Sequence, residues 1–282
     1  MDDPSAPNKK RTESAVDIVA PTSVAALAAT LDYDSAPAER DALPPLWHWI
    51  FFRPIVRQSL IAEDGHPRKG SFLPDLGLPR RMWAGGRLRF AAPVIVGERI
   101  ARASSILDVR EKQGRTGKLG FVTVGHRIEC RGTLAIEEEH DIVYRELSAS
   151  GAPAPTATPT AAPADAAWQR TLTPDETLLF RYSALTFNAH RIHYDTPYVT
   201  QTEGYPGLVV HGPLIATLLM DLLRRERPDA AVLDFSYRAM RPCFAGNALH
   251  LCGQPSADGK TVELWSKDHE GWLGMTARAT LS

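Results

Sequence analysis

Residues 147–166 read LSASGAPAPTATPTAAPADA. Ala, Pro, Thr and Ser without an apolar period cannot bury surface, so this stretch predicts an extended, solvated linker. It divides the 282 residues into two halves of ordinary domain size. To its left, GRLRFAAPVIVGERIARASSILDVREK from Gly86, KLGFVTVGHRIEC and TLAIEEEHDIVYRE are rich in Val, Ile and Phe and punctuated by Gly. Such runs predict antiparallel strands. Ahead of them, Ser23 to Asp32 reads as a helix with Ser23 as N-cap. To the right, Thr173 and Glu176 in TPDE have capping-box spacing with Pro174 at the first helical position, and that helix is expected to run to about Leu185. A second, strongly apolar helix is expected from Pro213 to about Arg225, and strands return from Val232.

Each half therefore runs helix first, strands after. A short echo links them: Pro93, Gly97 and Ile100 in the first are matched by Pro242, Gly246 and Leu249 in the second. Together these features predict two copies of one α+β unit. The expected division is a disordered tail over 1–20, a first repeat over 21–146, the linker over 147–166 and a second repeat over 167–282.

Bulk properties narrow the partners. Hydrophobic residues make up 44 % and charged residues 23 %, with a net charge of −1. No overall basic field exists to hold nucleic acid or an anionic membrane. Cys130, Cys243 and Cys252 form no CxxC pair, which argues against a disulfide scaffold or zinc site and fits a reducing, cytoplasmic setting. The first residues carry acids and no apolar core of a secretory signal. The most apolar stretch, 207–223, is interrupted by His211, Pro213 and Asp221 and falls short of the ~20 clean residues a membrane span needs. Its Leu214, Ile215, Leu218, Leu219, Leu222 and Leu223 stripe is core.

The chemistry concentrates in RYSALTFNAHRIHYD (181–195) and EGYPGLVVHGPL (203–214). These segments resemble the hydratase motif of the MaoC-like and R-specific enoyl-CoA hydratases, Ser-Gly-Asp-x-Asn-Pro-x-His-x-Asp followed by a later His-Gly. His193 and Asp195 match the His-x-Asp end; His211 and Gly212 match the later pair. The first half, with LPRRMWAGGRLRF and FVTVGHRIEC, resembles the non-catalytic N-terminal repeat of a subgroup containing mesaconyl-C4-CoA hydratase and mitochondrial-type 3-hydroxyacyl-thioester dehydratase. The resemblance implies a tandem (double) hot-dog fold of the α+β class, antiparallel sheet wrapped on helix in each repeat. It implies catalysis in the second repeat, and an acyl pocket widened by the first. One departure stands out. Where the motif has Asp, this chain has Asn188, and where it has Asn, this chain has His190. An amide cannot exchange a proton, so an Asp–His acid/base pair does not carry over.

Hydrating an α,β-unsaturated thioester needs a base for water, a donor for the developing enolate oxygen and a proton for the α-carbon. His193 is the natural base, with an ordinary pKa of ~6.5. Asn188 either orients water or caps the following turn. The Gly212 N–H, at the start of a helix, is either an oxyanion donor or part of a sharp turn only. His190 is a site wall or a surface residue; His211 is a further substrate contact. Tyr205 and Pro206 shape an acyl pocket or merely turn the chain. Asp195 caps or pairs with a base. A free acyl carboxylate would want an arginine, for which Arg191, Arg80 and Arg81 are the candidates, against a plain surface role for each.

The spacing of His190, His193 and Asp195, with His211 near, also fits a metal set. No HExxH and no nearby Cys support it, and neither metal nor cofactor is expected. Asp221 raises a thioesterase reading, although helical spacing places it on a polar face with Thr217 and Arg224. The expected function is reversible hydration of a 2-enoyl-CoA by a homodimer or other homo-oligomer, favouring a short branched dicarboxylyl thioester. A 3-hydroxyacyl-thioester dehydratase and a non-catalytic acyl-CoA-binding subunit are the alternatives.

Overall fold

The computed structural model describes residues 11–114, 117–146 and 158–282. Strands form where the alternation predicted them: from Gly120 to Cys130 every second residue is buried. The first half contains β1 (Thr12–Ile18), α1 (Pro21–Thr30), β2 (Arg80–Phe90), β3 (Arg99–Gly114), β4 (Gly117–Cys130) and β5 (Thr133–Arg145). The second contains β6 (Trp168–Leu172), α2 (Glu176–Thr186), α3 (Gly212–Glu226), β7 (Val232–Ala239), β8 (Leu249–Pro255), β9 (Thr261–Lys267) and β10 (Leu273–Leu281).

All described strand pairs are antiparallel, in the order β1-β3-β4-β5-β2-β7-β10-β9-β8-β6. The order reads the same from both ends once β6 is matched to β1, β7 to β2 and so on. The duplication is therefore topological, and the tandem hot-dog expectation holds. The two five-stranded halves join edge to edge through β2 and β7, from Gly85 opposite Arg238 to Arg89 opposite Asp234, making one continuous sheet. The sequence echo is real in three dimensions. Gly97 and Gly246 both take positive φ, 90° and 81°. Their N–H groups donate to Val19 and Pro174, each at 2.8 Å and each two residues before a helix begins.

The halves differ at the centre. α3 packs across β8, β9 and β10 and is buried along its whole middle, Leu214 to Leu223. In the first half Ala42 bridges Ile95 just as Val209 bridges Phe244 in the second. Apart from a second short 3-10 turn at Gln58–Leu60, the described first half has beyond that bridge a 3-10 turn, Trp47–Ile50, where the second half has α3. Pro44, Pro45 and Pro54 bracket the turn, and proline neither donates nor tolerates a preceding helical turn. Among the described residues, no long helix fills the concave face of β3, β4 and β5.

Several boundaries differ from expectation. Thr12–Ile18 is not tail but an edge strand on β3; backbone bonds to β3 hold it, so it needs no apolar pattern. Residues 1–10 lie outside the described set. α1 starts at Pro21, before Ser23, and Ser23 Oγ accepts from Arg53 instead of capping. α2 is capped by Asp175, whose Oδ1 accepts the Leu178 N–H at 2.7 Å, and not by Thr173. Of the linker stretch, 147–157 lies outside the described residues. Thr160 and Ala162 are hydrogen-bonded to Leu273 and Gly271. No described helix is long and apolar enough to cross a membrane, and Cys130, Cys243 and Cys252 are buried free thiols.

Candidate active site

The segment after α2 is shaped by local hydrogen bonds. Phe187 ends the helix in the left-handed region, and the Asn188 N–H donates to Ser183 O at 2.9 Å. Asn188 Oδ1 accepts the His190 N–H at 3.0 Å, an Asx turn that leads into the 3-10 turn Arg191–His193. His193 is then pinned twice. The Val209 N–H donates to Ile192 O at 3.0 Å, and His193 Nδ1 lies 2.7 Å from Val209 O. A carbonyl only accepts, so the ring proton sits on Nδ1 and Nε2 keeps its lone pair. Burial pushes the His193 pKa down to about 4, so the ring is a free base at neutral pH.

His211 stacks flat on His193, ring centres 3.6 Å apart and 19° from parallel, with its Nε2 2.8 Å from Ser183 Oγ. The next residue, Gly212, opens α3, where first-turn N–H groups have no intrahelical acceptor and the dipole favours negative charge. A side chain there would meet Trp83: a Cβ at position 212 would lie 2.8 Å from Trp83 Cε3. The helix start is thereby held against an indole from the first repeat.

A first-repeat loop also docks here. The Arg191 N–H donates to Asp64 O at 2.9 Å. Gly65 approaches Ala189 so closely that a Cβ would sit 1.7 Å from Ala189 O. Asp64 Oδ2 accepts from His66 Nδ1 at 3.0 Å, and the His66 ring lies 4.0 Å from that of His190. His190 continues towards His193, 5.4 Å between ring centres. Burial, with His66 and His193 beside it, lowers the His190 pKa. Among the described residues, Asp64, His66 and His190 are the group able to hold a metal, with one ligand atom from each within 4.8 Å of the others. That set differs from the His190, His193 and Asp195 set read from spacing.

The arginines singled out in the sequence have protein partners, and Arg81 also lies within electrostatic reach of His66 and His190. Arg191 grips Asp195 at 2.7 and 2.9 Å and lies over the Tyr198 ring. Asp195 Oδ1 accepts the Tyr198 N–H, so Asp195 caps and pairs, as its position implied. Arg80 pairs with buried Glu203 at 2.8 Å, and Arg81 reaches Pro67 O at 3.4 Å. Tyr205 packs towards Phe244, ring centres 6.1 Å apart. Asp221 is not on a polar face. It is 1 % exposed and held by Arg170, Arg225 and the Tyr33 hydroxyl, because β6 and the turn after α1 close over that side of α3. A carboxylate so fully committed has no free oxygen to activate water.

Between the repeats lies a cavity of about 250 Å³. Asn188, Tyr182 and Pro213 form its second-repeat wall; Trp83, Arg102, His126, Glu138, His140 and His48 form much of the other. Sequence reading missed this polar wall. Its signal was present: on β5, Glu138 and His140 fall on the same alternating face as Ile136 and Ile142. Only strand register brings them beside His126 and Ser104.

The chain is similar to known proteins along most of its length. Residues 46–245 match the family model described as hydroxyacyl-thioester dehydratase type 2. The chain is 46 % identical over 273 residues to the mesaconyl-C(4)-CoA hydratase of Chloroflexus aurantiacus, covering 96 % of this chain and 95 % of that one. A MaoC-like dehydratase from Phytophthora capsici superposes with a TM-score of 0.69 at 12 % identity, covering 97 % and 95 % of the two chains. A Mycobacterium tuberculosis protein described as having a double hot-dog fold gives 0.58 at 16 % identity, covering 98 % and 97 %. The chain is a hydro-lyase with a tandem hot-dog fold, and it belongs to the hydroxyacyl-thioester dehydratase type 2 family.

Proposed function

We propose that the protein reversibly hydrates a short branched dicarboxylyl enoyl-CoA, with mesaconyl-C4-CoA to citramalyl-CoA as the candidate reaction. The observation that carries this is His193: its Nδ1 proton is spent on Val209 O, leaving Nε2 as a base beside the Gly212 helix start. In this reading Nε2 takes a proton from water as its oxygen bonds to the β-carbon. The thioester oxygen, gaining enolate charge, accepts from the Gly212 N–H. The imidazolium proton is then returned, through the site, to the α-carbon. Asn188 resolves into two roles. Its Oδ1 holds the turn, and its NH₂ is left to donate to the attacking water. His211 positions the His193 ring, and the second repeat supplies the chemistry while the first supplies the far wall of the acyl cavity.

We further propose a cytoplasmic homo-oligomer; the three free cysteines support the reducing compartment. The test is incubation with mesaconyl-C4-CoA and crotonyl-CoA, following conjugated-thioester absorbance and free thiol. Absorbance loss without thiol is expected. Thiol release indicates a thioesterase, silence with every acyl chain indicates a binding subunit, and either sinks the proposal.

A further inference from the structure

The concave face of β8, β9 and β10 is filled by α3, but the matching face of β3, β4 and β5 borders the cavity instead. At about 250 Å³ the space equals roughly eight waters at about 30 Å³ each, enough for a short acyl end. Its first-repeat wall is ionic. Arg102 projects into it from β3, half covered by the Phe52 ring at 5.0 Å. Its Nη2 reaches Glu13 only at 3.5 Å, and its Nε is buried without an acceptor. His48 Nδ1 is a second buried nitrogen without a partner on the same cavity.

The carboxylate on this wall, Glu138, is already occupied. It accepts from His48 at 3.2 Å, from Trp49 at 2.6 Å and from His140. An anion entering the cavity therefore meets the Arg102 guanidinium N–H groups, not a bare carboxylate. An alkyl end would instead strand Arg102 and His48 against hydrocarbon, at the cost of burying unsatisfied polar groups.

We infer that Arg102 forms a subsite for a free carboxylate on the acyl group, and so selects dicarboxylyl over alkyl thioesters. This rests on the hydration reading above. In that reading the carboxylate is carried on the β-carbon, beyond the thioester that faces Gly212, so it points away from α3 into this wall. An arginine fork suits a carboxylate because two N–H groups can meet two oxygens.

The test compares kcat/KM for mesaconyl-C4-CoA, its methyl ester at the free carboxylate, and crotonyl-CoA. The parent enzyme is expected to prefer the acid over its ester by about 10- to 100-fold, the usual strength of a charge-assisted hydrogen bond. Arg102→Met should collapse that acid-to-ester ratio towards one, chiefly through KM, while Arg102→Lys keeps part of it. Equal rates for acid and ester in the parent, or an equal loss on all three thioesters in a folded Arg102→Met, would overturn the inference. If Arg102→Met does not fold, the parent ratio and the Arg102→Lys ratio decide. Failure of the parent to hydrate any of the three thioesters strikes the function proposal itself, and is thus separable.

Discussion

In the proposed mechanism His193 owes its role to a single bond. Val209 O fixes the tautomer, and burial keeps the ring neutral, with a pKa of about 4. His193→Ala is expected to lower kcat by about 10²–10⁴-fold, the range for loss of a general base; near-normal turnover in a folded variant would remove His193 from the mechanism. Asn188→Asp asks a subtler question. An Asp side chain can still accept the His190 N–H, so the Asx turn and the melting temperature should persist. A carboxylate near His193 favours the imidazolium, however, and the acid limb of kcat/KM should move up from its low position near pH 4. An unmoved limb would mean that residue 188 does not face the base. His193, Asn188 and Gly212 enter the proposal through motif spacing, which the sequence displays directly. The Val209 carbonyl was not legible there, since any residue supplies the same backbone oxygen.

At the scale of elements, the loop carrying Asp64, Gly65 and His66 ties the first repeat to the 188–193 segment of the second. Gly65 has φ 89° and no room for a side chain against Ala189. Gly65→Ala is therefore expected to lift the loop from the 188–193 segment, cutting hydration by at least about tenfold while costing about 1–3 kcal/mol of stability. Hydrogen exchange at Arg191, whose N–H donates to Asp64 O, would report the undocking; unchanged protection there would contradict it. The DGHPRKG run reads as polar loop and nothing more, because its partner lies some 125 residues away. The strands and α3 were legible through period and capping. The absent central helix of the first repeat was written in Pro44, Pro45 and Pro54, but its consequence, a cavity, appears only when β3, β4 and β5 are set in register.

The whole molecule buries several histidines in neutral form, on both sides of the β2–β7 seam. His126 is held at a pKa of about 3 and His193 at about 4, both by burial, and His211 lies well below its ordinary value for the same reason. Unfolding returns each to ~6.5. Between those limits the unfolded chain binds protons that the folded one refuses, so acid favours unfolding. Each such group contributes at most roughly 1.4 kcal/mol per pH unit, and His126 and His193 together roughly 3. Glu138 does not offset this. His140 and His48 hold it well below the carboxylate range despite its burial, so its own stabilisation is lost only at still lower pH. Urea midpoints measured from pH 8 to pH 4.5 are expected to be flat above about 7 and to fall steeply below 6.5. A midpoint that holds or rises across that window would show these rings charged in the folded protein, and with that His193 would no longer be the free base on which the hydration mechanism depends.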